Sequence, residues 1–418
     1  MRSRFLRLAA LTSFSLLSGC GLGQGLGLTG NANEAQLGLG KAPPSVFGYA
    51  VADEPQAALV GRQILNEGGN AADAAAAEGL ALAVTLPSRA GLGGGGACLI
   101  KMPNANGDMQ PPVALLFPAG SPASTSGSRP AAVPAFARGL LALQARYGQL
   151  PLSAIIVPAE RLAASAQLSP ALETDLKVVG NALLADPAAA AIFAPNGQLL
   201  PAGATIHQPN LAATLEILRT QGVSGLYAGG FATQFTQAAD AAGAGLTMTD
   251  MSLGLPRYSA PVSGMQDGYA TAALPTASAQ GKTLPASAGF MALDKNGGVV
   301  TCASSMNNLF GTGRYAAGTG VLLAASPRTV PAPQLAAAIA YAPGNLDFRA
   351  ATTGTGQTAA ATAAATALRD ALAGHPNQPV PNPGRANVIS CPKDVPGGEA
   401  SCTASADPRG QGLAIGGR

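Results

Sequence analysis

Between residues 56 and 65 the apolar positions of Gln-Ala-Ala-Leu-Val-Gly-Arg-Gln-Ile-Leu recur at spacings of three and four, the period of one helix face. This helical signature runs over residues 51–83 and is interrupted by Gly68-Gly69. Asn70 is placed to cap a second, Ala-rich helix toward Leu86, which Pro87 ends. Beyond the glycine run Gly91-Leu-Gly-Gly-Gly-Gly96, the short apolar stretch 97–102 predicts a strand. Further helices are expected over residues 134–147, 151–166, 211–221 and 231–241.

From residue 289 the pattern changes to strands. Residues 290–294 and 299–304 flank Lys295-Asn-Gly-Gly298, and Asn-Gly is the strongest short hairpin signal. A three-residue loop, Lys295 to Gly297 with Gly297 left-handed, sets Ser287 opposite Ser305; a two-residue loop moves the pairing by one. In either register Ser287, Ser305 and Asn307 become neighbours. Residues 335–341 and 348–353 predict another strand pair. Thr353-Gly-Thr-Gly-Gln-Thr358 then opens an Ala-rich helix over 359–373, so backbone N–H groups converge there. Residues 375–418 are rich in Pro, Gly and Asn and are expected to be loosely ordered.

Composition narrows the function classes. Charged residues make up 11% of the chain, against about 25% in an ordinary soluble domain, so the surface is built largely from Ala, Gly, Ser and Thr. A net charge of +3 without a basic run, and no Trp, leaves no footprint for nucleic acid. The 2 His stand far apart, so no metal site can be drawn. The glycine run formally matches G-x-G-x-x-G, but it follows a helix and precedes a strand, the reverse of a dinucleotide-binding turn. No cofactor is expected.

Residues 1–20 have a basic start and a short apolar run, as in a secretory signal. They end in Leu17-Ser18-Gly19-Cys20, which resembles the lipobox of bacterial lipoproteins, where the Cys receives a lipid; the alternative is an ordinary signal with an incidental Cys. A Gly-rich tether over residues 21–45 follows. The expected location is the bacterial cell envelope, lipid-anchored and facing the periplasm. In that oxidising compartment Cys391 and Cys402 are close enough in sequence for a disulfide. Cys98 and Cys302 lie in apolar segments and are read as buried hydrophobes rather than as a pair.

Several stretches in order resemble the γ-glutamyltransferases: Gly68-Gly-Asn-Ala-Ala-Asp73, Ala90-Gly-Leu-Gly-Gly-Gly-Gly96, Tyr147-Gly-Gln-Leu-Pro151, Gln208-Pro-Asn-Leu211, Leu246-Thr-Met-Thr-Asp250, Phe310-Gly-Thr-Gly313 and Gly318-Thr-Gly-Val-Leu-Leu323. The resemblance implies an α+β fold, the four-layer αββα sandwich of N-terminal-nucleophile hydrolases. It also implies a large-subunit-like part over 46–286, a small-subunit-like part over 287–374 and a tail over 375–418. Registered on the Asp294-Lys-Asn-Gly297 turn, the family's nucleophile falls on Ser287, its hydrogen-bonding partner on Ser305, and a substrate-pocket Asn on Asn307. Ser326 takes another substrate-binding position, and Gly356 and Gln357 the oxyanion positions. A hydroxyl needs a base, and the chain offers no His or carboxylate at the spacing of a triad; an α-amine freed by cleavage before Ser287 would serve.

The chain also departs from the family. The Arg that grips a glutamyl carboxylate is replaced by Pro118, and Arg89 and Arg328 stand nearby as candidate replacements. The position after the nucleophile that holds His in the family is Gly289. The implied function is a γ-glutamyltransferase-like amidohydrolase or acyltransferase acting on a γ-glutamyl amide such as glutathione, or on an altered amide or peptide. Its processed fragments would stay associated, and the lipid would hold it at the membrane. The alternative is a catalytically retired, lipid-anchored binding or envelope protein on the same fold.

Overall fold

The hairpin at Lys295-Asn296-Gly297 sets the register on which the site depends. Asp294 N–H donates to the Gly298 carbonyl at 2.9 Å and Gly297 has φ +77°, so the loop has three residues. Glycine supplies that left-handed turn without a Cβ penalty. Asp294 ties the turn down: its carboxylate accepts from Asn296, Gly298 and, across the sequence, Ala71. The computed structural model in which this is seen describes residues 46–123, 126–275, 286–331 and 334–417. Cys20, the signal and the tether, residues 1–45, lie outside the described residues.

The strands are β1 (Gly48–Ala52), β2 (Gly95–Lys101), β3 (Val113–Phe117), β4 (Ala166–Gln167), β5 (Thr205–Ile206), β6 (Arg257–Ser259), β7 (Val262–Gln266), β8 (Tyr269–Ala273), β9 (Ser287–Leu293), β10 (Val299–Ser305), β11 (Tyr315–Ala316), β12 (Val321–Leu322), β13 (Ala336–Tyr341), β14 (Phe348–Thr355), β15 (Arg385–Val395), β16 (Thr403–Ser405) and β17 (Leu413–Gly417). One sheet has the order β17-β1-β9-β10-β2-β3-β6 and a second β16-β15-β14-β13-β8-β7; β4-β5 and β11-β12 are small ribbons. The two sheets stack through one apolar core that includes Val51, Leu99, Leu116, Met291 and Leu293 from the first and Ile339, Phe348 and Ile389 from the second.

Helices α1 (Pro55–Asn66) and α2 (Ala71–Thr85) cover the outer face of the first sheet. Asn70 caps α2 through a reciprocal box with Asp73, which explains the Asn-Ala-Ala-Asp spacing. Along α2 small residues permit close approach: a Cβ on Gly79 would stand 3.2 Å from the Phe290 ring. Helices α3 (Phe136–Tyr147), α4 (Leu152–Ala164), α5 (Pro170–Leu183), α6 (Pro187–Phe193), α7 (Pro209–Tyr227) and α8 (Gly229–Ala241) follow. The last, α9 (Ala360–Leu372), packs Ala363, Ala367, Leu368 and Ala371 on the outer face of the second sheet. The result is the expected helix-sheet-sheet-helix sandwich.

Four expectations are corrected. Val51 and Ala52 belong to β1, not to a helix, because both neighbours in the sheet satisfy the backbone there. Helix α7 continues beyond residue 221 through a break at Gly222, where φ is +64°. The tail is ordered: β15 pairs with β14, β17 pairs with β1, and a disulfide joins Cys391 to Cys402. Most of its Pro and Gly residues lie outside the strands, in the connection before β15 and in the turns between β15, β16 and β17. Cys98 and Cys302 are bonded as a disulfide, since the β2–β10 register sets them directly opposite each other. That long-range pairing leaves no local trace in the sequence.

Candidate active site between the two sheets

Ser287 opens β9, and the ladder pairs it with Ser305 at the end of β10. Met306 N–H donates to the Ala286 carbonyl at 3.2 Å, so Ala286–Met306 is a hydrogen-bonded pair. Ser287–Ser305 is therefore of the other, non-hydrogen-bonded kind, whose Cα atoms lie about 4.5 Å apart with side chains close. Side chains alternate along a strand, so Ser287 shares a face with Met291 and Leu293, which line the space between the sheets. By the same alternation Ser305 shares the face of Ala303 and Val299. Both serines are almost fully buried.

The candidate oxyanion loop lies at the same end of the sandwich. Thr301 Oγ1 donates to the Thr352 carbonyl at 3.2 Å, and a Cβ on Gly289 would meet Thr353 Oγ1 at 2.3 Å. Moving from Met291, which pairs with Thr301, toward Ser287 thus runs alongside β14 toward Thr355. The next residues, Gly356 and Gln357, have φ +110° and +60° and lead into the short 3-10 turn before α9. Their backbone N–H groups belong to a left-handed segment at a helix entrance, a geometry suited to anions.

Asn307 also adopts positive φ, +62°, and folds back on Ser305: its N–H donates to Ser305 Oγ at 2.7 Å. Its amide donates to the Ala325 carbonyl at 2.8 Å. Ser326 follows and is fully buried; its Oγ accepts from Arg328 N–H at 3.3 Å. Ser305, Gly95 and the chain at Pro118 form a row across the first sheet, because Ser305 pairs with Gly95 and a Cβ on Gly95 would stand 2.1 Å from Ala119 N. The structure thus brings Ser287, Ser305, Asn307 and Ser326 to one region. Cys391 and Cys402, joined to each other, belong to β15 and the residue just before β16 and are not part of this group.

Arg89 is not available to a ligand carboxylate. It makes a buried, two-pronged ion pair with Asp175 at 2.7 and 2.8 Å, and Ser88 Oγ donates to the same carboxylate at 2.6 Å. Burial alone would lower the Arg89 pKa, but Asp175 outweighs it and raises the group. Arg328 is exposed. Among the described residues no cluster of His, Cys, Asp and Glu is arranged to hold a metal.

The sequence reading missed Asp53. Its N–H donates to the Gly289 carbonyl at 3.0 Å, and its Oδ2 accepts from Gly289 N–H at 2.8 Å. Its Oδ1 accepts from Asn387 Nδ2 at 2.8 Å. Burial raises the Asp53 pKa, against the opposing hydrogen bonds from Gly289 and Asn387. In the sequence Asp53 falls inside the stretch 51–83 read as helical, whereas in the structure it precedes α1, whose N-cap is Glu54.

The sequence model described as Gamma-glutamyltranspeptidase matches residues 57–287, more than half of the chain. The glutathione hydrolase proenzyme of Escherichia coli (strain K12) is 34% identical over 249 residues, covering 56% of this chain and 43% of that protein. The acylase ACY 1 proenzyme of Pseudomonas sp. (strain V22) is 30% identical over 256 residues, covering 56% of this chain and 46% of that one. The chain therefore matches less than half the length of these curated relatives. Cephalosporin acylase from Bacillus halodurans superposes with a TM-score of 0.72 at 16% identity, covering 89% of this chain and 96% of that structure, which shows the shared N-terminal-nucleophile hydrolase fold. With the sequence pattern extending through Ser287 and the two-sheet sandwich around it, the chain belongs to the gamma-glutamyltranspeptidase family.

Proposed function

We propose that this protein is a γ-glutamyltransferase-like amidohydrolase or acyltransferase that cuts its own chain between Ala286 and Ser287. The observation that carries the proposal is the placement of Ser287: cross-strand from Ser305, facing the space between the sheets, at the end where β14 leads into the left-handed Gly356–Gln357 turn. The Ala286 carbonyl, which cleavage must attack, already accepts the Met306 N–H.

Once freed, the Ser287 α-amine is the base. Its ordinary pKa, about 7.7–8.0, lets it take the Oγ proton as Oγ attacks an amide carbonyl. The oxyanion is met by the Gly356 and Gln357 N–H groups, each such donor being worth about 3–4 kcal/mol. The amine product leaves with the proton, and water or an acceptor amine releases the acyl group. Ser305 and Asn307 hold the nucleophile's surroundings, and Ser326 lines the acyl side.

The substrate is a γ-glutamyl amide such as glutathione, or an altered amide without a carboxylate to grip, a choice favoured by the commitment of Arg89 to Asp175. Cys20 carries a lipid and holds the protein at the periplasmic face of the envelope; among the described residues no helix is long and apolar enough to cross a membrane.

Purified wild type is expected to separate under denaturing and reducing conditions, which open the Cys98–Cys302 bridge between the fragments, into two pieces, the smaller beginning at Ser287, and to hydrolyse either γ-glutamyl-p-nitroanilide or neutral acyl-anilide analogues such as butyryl-p-nitroanilide. Ser287→Ala is expected to do neither. A wild type that stays whole and hydrolyses none of these would instead support the retired, envelope-bound protein.

A further inference from the structure

We infer that Asp53, Asn387, Asp407 and Arg409 are positioning residues that hold the Gly356–Gln357 loop in register with Ser287. The inference rests on the functional reading above for its catalytic consequence, and on an unbroken series of contacts for its mechanics. The series begins two residues beyond Ser287, where Asp53 grips Gly289 through both its backbone N–H and its carboxylate. Asn387 on β15 donates to the free oxygen of that carboxylate and, with its own Oδ1, accepts from Asp407 N–H at 3.1 Å.

Asp407 then pairs with Arg409 at 2.6 Å and accepts from Ala386 N–H at 3.3 Å. Burial alone would raise the Asp407 carboxyl, but the Arg409 hydrogen bonds overcome it and hold it below its ordinary value. From Arg409 the guanidinium reaches the Gly384 carbonyl at 2.8 Å and also Asn382. The backbone of 383–384 is pressed against Gly356: a Cβ there would lie 2.6 Å from the Pro383 carbonyl oxygen and 2.9 Å from Gly384 Cα. Gly356 therefore packs directly on residues 383–384 with no room for a side chain between them, and its φ of +110° demands glycine independently.

This arrangement gives the C-terminal segment a definite task. The nucleophile lies on the first sheet and the oxyanion loop extends from the second, so their relative placement depends on whatever bridges the sheets at that end. Asp53 belongs to the first sheet's side and Asn387 to β15 of the second, and their hydrogen bond is such a bridge. Asn387 suits it as a side chain with both a donor and an acceptor. An error of about 1 Å in such placement costs on the order of a hundredfold in rate.

The test uses the full chain with two variants that cut the series at different links. Asn387→Leu removes both hydrogen bonds at near-constant volume. Arg409→Met acts on a partly exposed side chain, so the fold survives it. Each is assayed for appearance of the Ser287 fragment, for kcat and KM on whichever anilide probe the wild type hydrolyses, and for hydrogen–deuterium exchange.

Both variants are expected to lose about tenfold or more in kcat with KM nearly unchanged, and to exchange faster in the peptide covering 355–359 while the 290–304 hairpin is unaffected. Unchanged exchange at 355–359 in Arg409→Met overturns the inference, as does an unchanged kcat in that variant. A wild type that neither cleaves nor turns over removes the catalytic reading on its own; the exchange arm then still decides whether the four residues hold the loop.

Discussion

Replacing Gly289 by Ala tests how tightly the two sheets are fitted beside the nucleophile. The added Cβ would lie 2.3 Å from Thr353 Oγ1, 2.8 Å from Thr353 Cβ and 3.4 Å from its Cγ2. Carbon atoms in contact prefer about 3.5–4.0 Å, so the overlap with Cβ alone approaches 1 Å. Rotating Thr353 about χ1 moves Oγ1 and Cγ2 but not Cβ, and so one strand must shift. Overpacking of this kind costs about 1–3 kcal/mol.

Thr353 offers a way to isolate the cause. Its hydroxyl is buried without a hydrogen-bond partner, so Thr353→Ala sacrifices no bond there. In the double variant the clashes with Oγ1 and Cγ2 disappear and only the Cβ overlap remains. Urea unfolding of the wild type, both single variants and the double variant should give a favourable coupling of about 1 kcal/mol or more. The same strand shift separates Ser287 from the Gly356 loop, so release of the Ser287 fragment should slow about tenfold or more in Gly289→Ala and recover partly in the double variant. Additivity within about 0.5 kcal/mol would refute the steric reasoning.

Glu78 is fully buried on α2 against Gly61 of α1, and neither carboxylate oxygen has a hydrogen-bond partner. Burial raises its pKa well above the ordinary value of 4.5, so the folded protein holds a proton that the unfolded chain releases above that pH. Stability should therefore fall with rising pH by about 1.4 kcal/mol per unit between the unfolded and folded values. Glu78→Gln, measured by urea unfolding across that window, should remove this slope, and parallel pH curves for the two proteins would exclude the assignment. In the uncut Ser287→Ala chain, loss of the Cys98–Cys302 bridge, which spans 204 residues, should cost about 5 kcal/mol, against about 3 for Cys391–Cys402, which spans 11. Denaturant midpoints of the two paired Cys→Ala variants check the order, and an equal or reversed order would contradict it.

The parts of the fold legible in the sequence are those governed by local chemistry. Asn296-Gly297 selects its turn, the turn sets the β9–β10 register, and the register puts Ser287 beside Ser305. Asn70 and Asp73 announce a helix start because capping is settled within four residues. What stayed hidden depends on pairings across the chain. Val51 lies in a stretch with helical periodicity, yet becomes a strand because β9 and β17 stand on either side of it. The Cys98–Cys302 bridge needs β2 beside β10, two strands roughly 200 residues apart. The tail looked unstructured by composition, although Asn387 and Asp407 within it bond into the centre of the molecule. Arg89 looked like a free cation until Asp175 was seen beside it.

The central claim is that the amide between Ala286 and Ser287 breaks spontaneously and leaves a serine whose own amine activates its hydroxyl. Intact-mass spectrometry of the purified chain, sampled over time at neutral pH beside Ser287→Ala, tests it most directly. After reduction of the Cys98–Cys302 bridge, which joins the two fragments, the account predicts two masses that sum to the reduced parent plus one water in the wild type and a single parent mass in the variant. A wild type that keeps only the parent mass throughout would contradict it.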